Sequence, residues 1–332
     1  MNIRPIAMVT GGAGFIGSHM VDLLIERGFS VRVIDNLRGG RRDNLTQHKK
    51  NTNLVLEERD ICDFKSSDTF FKDVKYVFHF AGIGDIVPSI ENPVDYLNTN
   101  LLGTVKMLEC SKTAKVSKFI YASSSSCYGL ASVPTDESHK IDLRYPYALS
   151  KYQGEQAALH WYQVYGLPVN ALRIFNAYGT RSRTSGTYGA VFGVFLKQKI
   201  SGKPFTVVGD GLQTRDFLYV TDVTKAFLAA AETSITGKFY NLGAGKPQSV
   251  NRLVELLGGE TVHIPKRPGE PDCTWADIKL IMAELKWMPE VSFEEGVKKI
   301  LQNIDYWKDA PLWEPESIAV ATQSWFKYIN EE

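Results

Sequence analysis

Cysteine is scarce in this sequence, with four in 332 residues. Cys62, Cys110, Cys127 and Cys273 form no CxxC pair and no metal-ligand spacing. They read as reduced thiols of a cytoplasmic protein, which excludes a disulfide scaffold and leaves no metal expected. Charge of either sign is not in excess. The 38 basic and 37 acidic side chains leave a net charge of +1, giving no electrostatic ground for nucleic acid or an anionic membrane as partner. No apolar run reaches the roughly 20 residues of a membrane span. The opening MNIRPIAMVTGG enters an apolar run and a glycine turn at once, so no signal peptide is expected. No internal repeat is present, and the one biased tract is the run Ser123–Ser126. What remains is an ordinary globular composition in a chain long enough for one large or two modest domains.

In the first half, short apolar runs alternate with helical patterns. Strands are predicted at 6–10, 30–35, 54–57, 76–80, 118–122 and 169–173. Helices are predicted at 16–27, 64–71, 94–112 and 148–165. Repeated strand–helix–strand units with continuous apolar strands predict an α/β fold, a doubly wound parallel sheet buried on both faces. Past residue 175 the rhythm breaks. The stretch 176–189 is polar and rich in Gly, Arg, Ser and Thr, and further helices are predicted at 191–200, 250–257, 278–285 and 293–306. The expectation is a Rossmann-type domain over 1–175, to which some later segments return, and a smaller C-terminal α/β substrate-binding lobe over 176–332. The tail 315–329 carries apolar residues at helical spacing and is predicted to be a docked helix.

Gly11-Gly-Ala-Gly14-Phe15-Ile16-Gly17 follows the first strand and opens the first helix. Glycines there let the backbone turn tightly and approach a pyrophosphate at the positive helix end. Asp35, followed by Asn36, closes the second strand, where a carboxylate would bind the adenine ribose hydroxyls. It would repel a 2′-phosphate, which favours NAD over NADP. Arg38, Arg41 and Arg42 just downstream pull the other way unless they are a solvated loop. Tyr147-Ala-Leu-Ser-Lys151 places a phenol and an ammonium on one helical face. A lysine and an oxidised nicotinamide nearby would favour the phenolate and make Tyr147 a usable base.

The spacing G-x-x-G-x-x-G, with these partners in this order, resembles the extended short-chain dehydrogenase/reductase family over nearly the whole chain. The resemblance implies further cofactor contacts at Asp60 and Ile61, at Phe80, Ala81 and Gly82 after His79, at Asn100, and at Ser123 and Lys151. It implies a catalytic set of Ser124, Tyr147 and Lys151. Tyr147 would exchange a proton with a sugar hydroxyl while hydride moves to or from the nicotinamide. Lys151 would hold the ribose, and Ser124 would bridge substrate and tyrosine. Three later stretches, from Arg173 through Asn176 to Arg181, from Gly209 through Arg215 to Phe217, and Arg267-Pro-Gly-Glu270, resemble members acting on nucleoside-diphosphate sugars. Asn176, Arg215, Arg267 and Glu270 would then bind the substrate. A homodimer through the helices at 94–112 and 148–165 is implied likewise.

Within the family a 4,6-dehydratase carries an Asp–Glu acid/base pair where this chain has Ser125 and Ser126. A serine hydroxyl does not replace a general base at neutral pH without an activating group. The resemblance therefore implies an NAD-dependent 4-epimerase of UDP-hexoses or UDP-N-acetylhexosamines, working through a transient 4-keto sugar. Ser125 would contact the sugar. Thr274, small where relatives restricted to plain hexoses are bulky, would admit an N-acetyl group. A dehydratase with displaced acid and base, a 2-epimerase, and an NAD-sensing protein without turnover are the alternatives.

Overall fold

The computed structural model describes residues 4–182 and 190–329, so the end of the polar stretch 176–189 lies outside the described residues. Seven parallel strands make one sheet: β1 (Ile6–Thr10), β2 (Ser30–Asp35), β3 (Leu54–Glu58), β4 (Val74–His79), β5 (Lys118–Ser124), β6 (Val169–Ile174) and the late strand Lys238–Leu242. Their order is Lys238–Leu242, β6, β5, β4, β1, β2, β3. All of β6 and all of β5 but Ser124 are buried, as a sheet covered on both faces requires. From β1 the chain winds outward to β3, then crosses back to β4 on the other side of β1. Connections diverge at that switch point and leave a crevice beyond the strand ends, the usual ligand position in such sheets.

Helix α1 (Phe15–Glu26) follows β1 directly. The helix expected at 64–71 is absent except for a turn at Thr69–Phe71. Phe64 and Phe71 are core residues whose rings meet edge-on at 6.0 Å, which mimics helical spacing. Between them Asp68 accepts the Lys65 amide at 2.8 Å and the Arg59 guanidinium at 2.9 Å. That local bonding competes with the helical backbone. After α2 (Ile86–Glu91), the single helix expected at 94–112 is broken into α3 (Pro93–Leu97), a π-helical turn at Asn98–Gly103, and α4 (Thr104–Thr113). Helix α5 (Pro146–Tyr165) starts with Pro at its first position and ends on Gly166 in a left-handed conformation.

The second lobe has its own aromatic core. Tyr178 stacks on Phe192 at 4.7 Å and Phe217 on Phe293 at 5.2 Å. Helix Val220–Glu232 packs instead into the core of the main sheet, which Lys238–Leu242 completes. Segments beyond residue 176 therefore belong to both cores. The tail forms two short helices, Pro315–Ala321 and Gln323–Tyr328, rather than one. Trp325 and Ile329 dock against Val87 of α2. Among the described residues no helix is long and apolar enough to cross a membrane.

Candidate active site

Where β1 turns into α1, Gly11 and Gly17 leave no room for a Cβ. Gly11 has φ +68°, and a Cβ there would lie 2.8 Å from the Ala81 amide nitrogen. A Cβ on Gly17 would lie 2.1 Å from the Gly11 carbonyl. The bare backbone leaves the α1 N-terminus uncapped by any side chain, so its amides are available to an anion. Behind it, Asp35 accepts the Ala13 amide at 2.9 Å and the Leu37 amide at 2.8 Å. Burial pushes its carboxyl up while those amides pull it down. Of the arginines that weighed against NAD, Arg38 lines the cleft beside Asp35, and all three have partners of their own. Arg38 pairs with Asp95 at 3.1 Å, Arg42 pairs with Glu58, and Arg41 lies over the Tyr306 ring.

A cavity of about 510 Å³ opens along the crevice. Of the residues expected at the cofactor, Gly11, Gly14, Phe15, Ile16, Gly17, Asp35, Asn36, Asp60, Ile61, Phe80, Ala81, Gly82, Ser123 and Lys151 line it, together with Ser124 and Tyr147. Asn36 donates to Asp60 at 2.7 Å, tying the ends of β2 and β3 together. Two expectations change. Asn100 does not line the cavity; from the π turn its carboxamide bonds both the amide and the carbonyl of Ile83, at 2.7 and 3.0 Å. It braces the wall rather than touching the space. The Ser123 hydroxyl is committed to Glu155 at 2.7 Å. His79 is turned into the core between the Thr10 and Thr104 hydroxyls, at 2.7 and 2.9 Å. Burial pushes its imidazole down to about 3, so it is a neutral structural group.

The catalytic candidates meet at the end of β5. Ser124 closes the strand, accepts the Ser126 amide at 3.2 Å, and lies 2.8 Å from the Ser126 hydroxyl. It lines the same cavity as the Tyr147 phenol. Burial pushes that phenol up and the Ser124 hydroxyl pulls it down. The protein alone leaves the phenol above its ordinary value; the phenolate was expected only with an oxidised nicotinamide present beside Lys151. Burial also pushes Lys151 down to about 8, against the pull of Glu155 one turn further on. The Lys151 ammonium lies 4.6 Å from the centre of the Tyr121 ring. Glu155 is itself fully buried and held by Arg173 through bonds of 2.8 and 2.6 Å. Arg173 is therefore a core cation, not a substrate contact, although it opens one of the substrate motifs.

The substrate candidates from distant segments do converge. Arg215 donates to Glu270 at 2.8 Å, and Arg267 approaches the other oxygen of that carboxylate at 3.1 Å. Beside them a second cavity of about 460 Å³ is lined by Gly209, Asp210, Leu212, Gln213 and Lys266. Thr274 lines neither cavity. Its hydroxyl donates to Asn176 Oδ1 at 2.7 Å, so it orients Asn176. Ser125 starts the short turn after β5 and lines neither cavity as well. Two residues at the site had no reading of their own. Asp85 lines the main cavity, and the only sequence signal was the unusual I-G-D-I-V after Gly82. Trp325 donates to the Pro268 carbonyl at 2.7 Å and lies under the Arg267 guanidinium; nothing marked it beyond helical spacing.

Comparison with known proteins fits this geometry. Residues 7–243 match the NAD dependent epimerase/dehydratase family, from β1 through the seventh strand of the sheet. The chain belongs to that family. Its cofactor is NAD, for which the glycine turn, the open helix end and Asp35 form a fitting cradle. A putative UDP-glucose 4-epimerase of Methanocaldococcus jannaschii is 38% identical, over 89% of this chain and 96% of that protein. A UDP-N-acetyl-alpha-D-glucosaminuronate decarboxylase of Bacillus cytotoxicus is 31% identical, over 90% and 98%. The structure of a UDP-glucuronic acid 4-epimerase from Bacillus cereus, in complex with UDP-glucuronic acid and NAD, superposes with a TM-score of 0.84. It is 31% identical and covers 92% of this chain and 99% of that one.

Proposed function

We propose that this protein is an NAD-dependent 4-epimerase of nucleoside-diphosphate sugars, with a UDP-hexose or UDP-N-acetylhexosamine as substrate. The observation that carries this reading is the turn after β5. Ser124 lines one cavity with Tyr147, and the two following positions are hydroxyls, so the turn offers a hydroxyl beside the phenol but no general base for a ring carbon.

Bound NAD supplies hydride acceptance at C4 of the sugar and its return to the opposite face. Tyr147 takes the proton from the C4 hydroxyl and gives it back, with Ser124 holding substrate and phenol in line. Lys151 contributes positive charge beside the phenolate, added to that of the cofactor, and both counter the burial that pushes the phenol up. Arg215 and Arg267, preset by their shared Glu270, are suited to bidentate contact with a diphosphate. Anchoring there leaves the keto sugar free to rotate between hydride departure and return. Residues 1–175 would serve the cofactor and 176–332 the sugar nucleotide. Homodimerisation through the faces of α4 and α5 is part of the proposal, supported by exposed Leu102, Val164 and Tyr165 near that face. So is a cytoplasmic setting, supported by four free cysteines.

A second reading, 4,6-dehydration with displaced acid and base, draws support from Asp85 in the same cavity. Incubation with UDP-glucose, UDP-N-acetylglucosamine and UDP-glucuronate, followed by mass spectrometry and NMR, decides between them. An epimer of unchanged mass is the expected product. Loss of water establishes dehydration, loss of carbon dioxide establishes decarboxylation, and no product from any of them revives an NAD-sensing role.

A further inference from the structure

Asn44 joins the two lobes beside the cofactor turn. It lies in the short turn Arg42–His48 after β2 and is 3% exposed. Its carboxamide nitrogen donates to the Ala13 carbonyl at 2.8 Å, and its Oδ1 accepts the Tyr306 hydroxyl at 3.0 Å across 262 residues of chain. A carbonyl only accepts, so the two bonds together fix which way the carboxamide faces. Ala13 is the residue whose amide donates to Asp35, and its carbonyl also accepts the Arg41 amide at 2.9 Å. Both polar groups of Ala13 are therefore committed, which sets the glycine turn in place while Gly14, Phe15, Ile16 and Gly17 line the cavity. The chain between β2 and Asn44 passes over Asp35: a Cβ on Gly40 would lie 2.8 Å from each oxygen of that carboxylate.

The second lobe holds the same loop from the other side. Tyr306 packs on the aromatic core of that lobe, its ring 5.2 Å from that of Trp307, and the Arg41 guanidinium lies 5.6 Å from its centre. Arg181 donates to the Asn44 carbonyl at 3.0 Å and pairs with Asp22 of α1. His19 of that helix donates to the Thr180 carbonyl at 2.9 Å. Arg181 keeps φ +60°, a left-handed conformation that a non-glycine residue holds only when its surroundings impose it. Two segments beyond residue 176 thus converge on one buried asparagine whose far end braces the turn.

We propose that Asn44 is a positioning residue for NAD and that Tyr306 acts through it, so that the second lobe takes part in holding the cofactor. Neither residue lines the cavity, so both act through the turn and not by contact. A buried carboxamide is stable only with its donor and its acceptor both bonded. Here one bond belongs to each lobe, and loss of the Tyr306 bond loosens the brace on Ala13. The inference needs only that NAD binds at the glycine turn and does not depend on which sugar nucleotide is the substrate.

The test follows exchange of bound NAD for excess isotope-labelled NAD in the full-length protein, read by mass spectrometry. Tyr306→Phe keeps the ring and removes the hydroxyl; exchange should quicken about threefold to tenfold, the scale of one neutral hydrogen bond. Asn44→Ala should quicken it about tenfold or more, since the bond to Ala13 is lost as well. Adding Tyr306→Phe to Asn44→Ala should change the rate by less than about twofold, because the two residues act through one bond. Ile300→Val, which trims the fully buried core of the second lobe, should lower the melting temperature and leave exchange within about twofold. An exchange rate unmoved by Tyr306→Phe overturns the inference, even where Asn44→Ala fails to fold. So does a double variant whose effect is the product of the two single ones. Equal quickening in Ile300→Val makes the effect one of general destabilisation and overturns it too. If no sugar nucleotide is turned over, the proposed function fails while this result stands.

Discussion

The two walls of the cleft are built from different materials. On the cofactor wall, residues 11–17 and the ends of β2 and β4 are fixed by backbone contacts. Gly11 donates to the Ile34 carbonyl at 2.7 Å, and Ala13 donates to Asp35. On the substrate wall, Asn176 meets Thr274 across 98 residues of chain, and Arg215 meets Glu270 across 55, both through side chains. A wall fixed by backbone is part of the fold, so its failure should appear as lost stability or lost cofactor. A wall made of side-chain pairs sits on a fold that stands without them, so its failure should appear as lost affinity. Tyr147 stands where the walls meet, and there the loss should be in the chemistry.

The largest effect tests that meeting point. Tyr147→Phe should lower kcat by a factor of about 10³, within the range for loss of a positioned acid/base. NAD should remain bound, as absorbance of the released nucleotide after denaturation would show. Near-normal turnover would remove Tyr147 from the mechanism. Next comes the substrate wall. Arg215→Ala removes a guanidinium that the proposed function assigns, with Arg267, to the diphosphate, and should raise KM for the sugar nucleotide about 10- to 100-fold, the scale of a charge-assisted pair. Melting temperature and NAD affinity should hardly move. A fall in kcat with KM unchanged would place Arg215 at the reacting sugar and not at its anchor.

The cofactor wall answers to acid. His79 is fully buried, and its value of about 3 lies below the ordinary 6.5; His19 is pushed down to about 4, again with burial as the main cause. A lowered histidine contributes its stability fully above pH 6.5 and loses it as the pH falls toward its folded value. Between pH 7 and 5 one such group accounts for about 2 kcal/mol. The urea midpoint measured with saturating NAD should be lower at pH 5 than at pH 7. His79→Gln should flatten that slope even if it lowers stability at pH 7. An unaltered slope in the variant would mean that His79 is solvated.

Legibility from sequence follows the same division. The glycine turn, Asp35 and the Tyr147–Lys151 pair were readable because each is set by spacing within one or two elements. The strands of the sheet were readable as continuous apolar runs between turns. The π turn was not, because an extra residue inside a helix leaves the apolar pattern almost intact while rotating Asn100 onto Ile83. Phe64 and Phe71 imitated a helix because both fill the core from an irregular loop. Thr274 resembled a gate residue in its motif, but its partner Asn176 is remote in sequence, and only packing decides which way the hydroxyl points. Asp85 was visible solely as a departure from relatives; its left-handed backbone is imposed by Tyr96, whose hydroxyl donates to the Gly84 and Asp85 carbonyls, and by Asn100, neither of which flags it.

The smallest expected effect asks to which wall the C-terminal helix belongs. Trp325 is buried at the crossing of three segments. Its indole donates to the Pro268 carbonyl, its ring lies 6.2 Å from that of Tyr145, and the Arg267 guanidinium sits 5.6 Å from its centre. Ser324 beside it donates to Glu91 at the end of α2 at 2.6 Å. The indole bond and the cation–π contact both act on the segment that carries Arg267 and Glu270, whereas Tyr145 is reached by ring packing alone. Trp325→Phe keeps most of the packing and removes the N–H, so the segment from 267 to 270 should loosen while α5 stays in place. KM for the sugar nucleotide should rise by about threefold to fivefold, the scale of one neutral hydrogen bond, with kcat within twofold and NAD affinity unaltered. A parallel fall in kcat would show that the tail supports Tyr147 through Tyr145, and the helix would then belong to the junction of the walls. The expected split in steady-state rates would make it part of the diphosphate anchor, built from the last described turn of the chain.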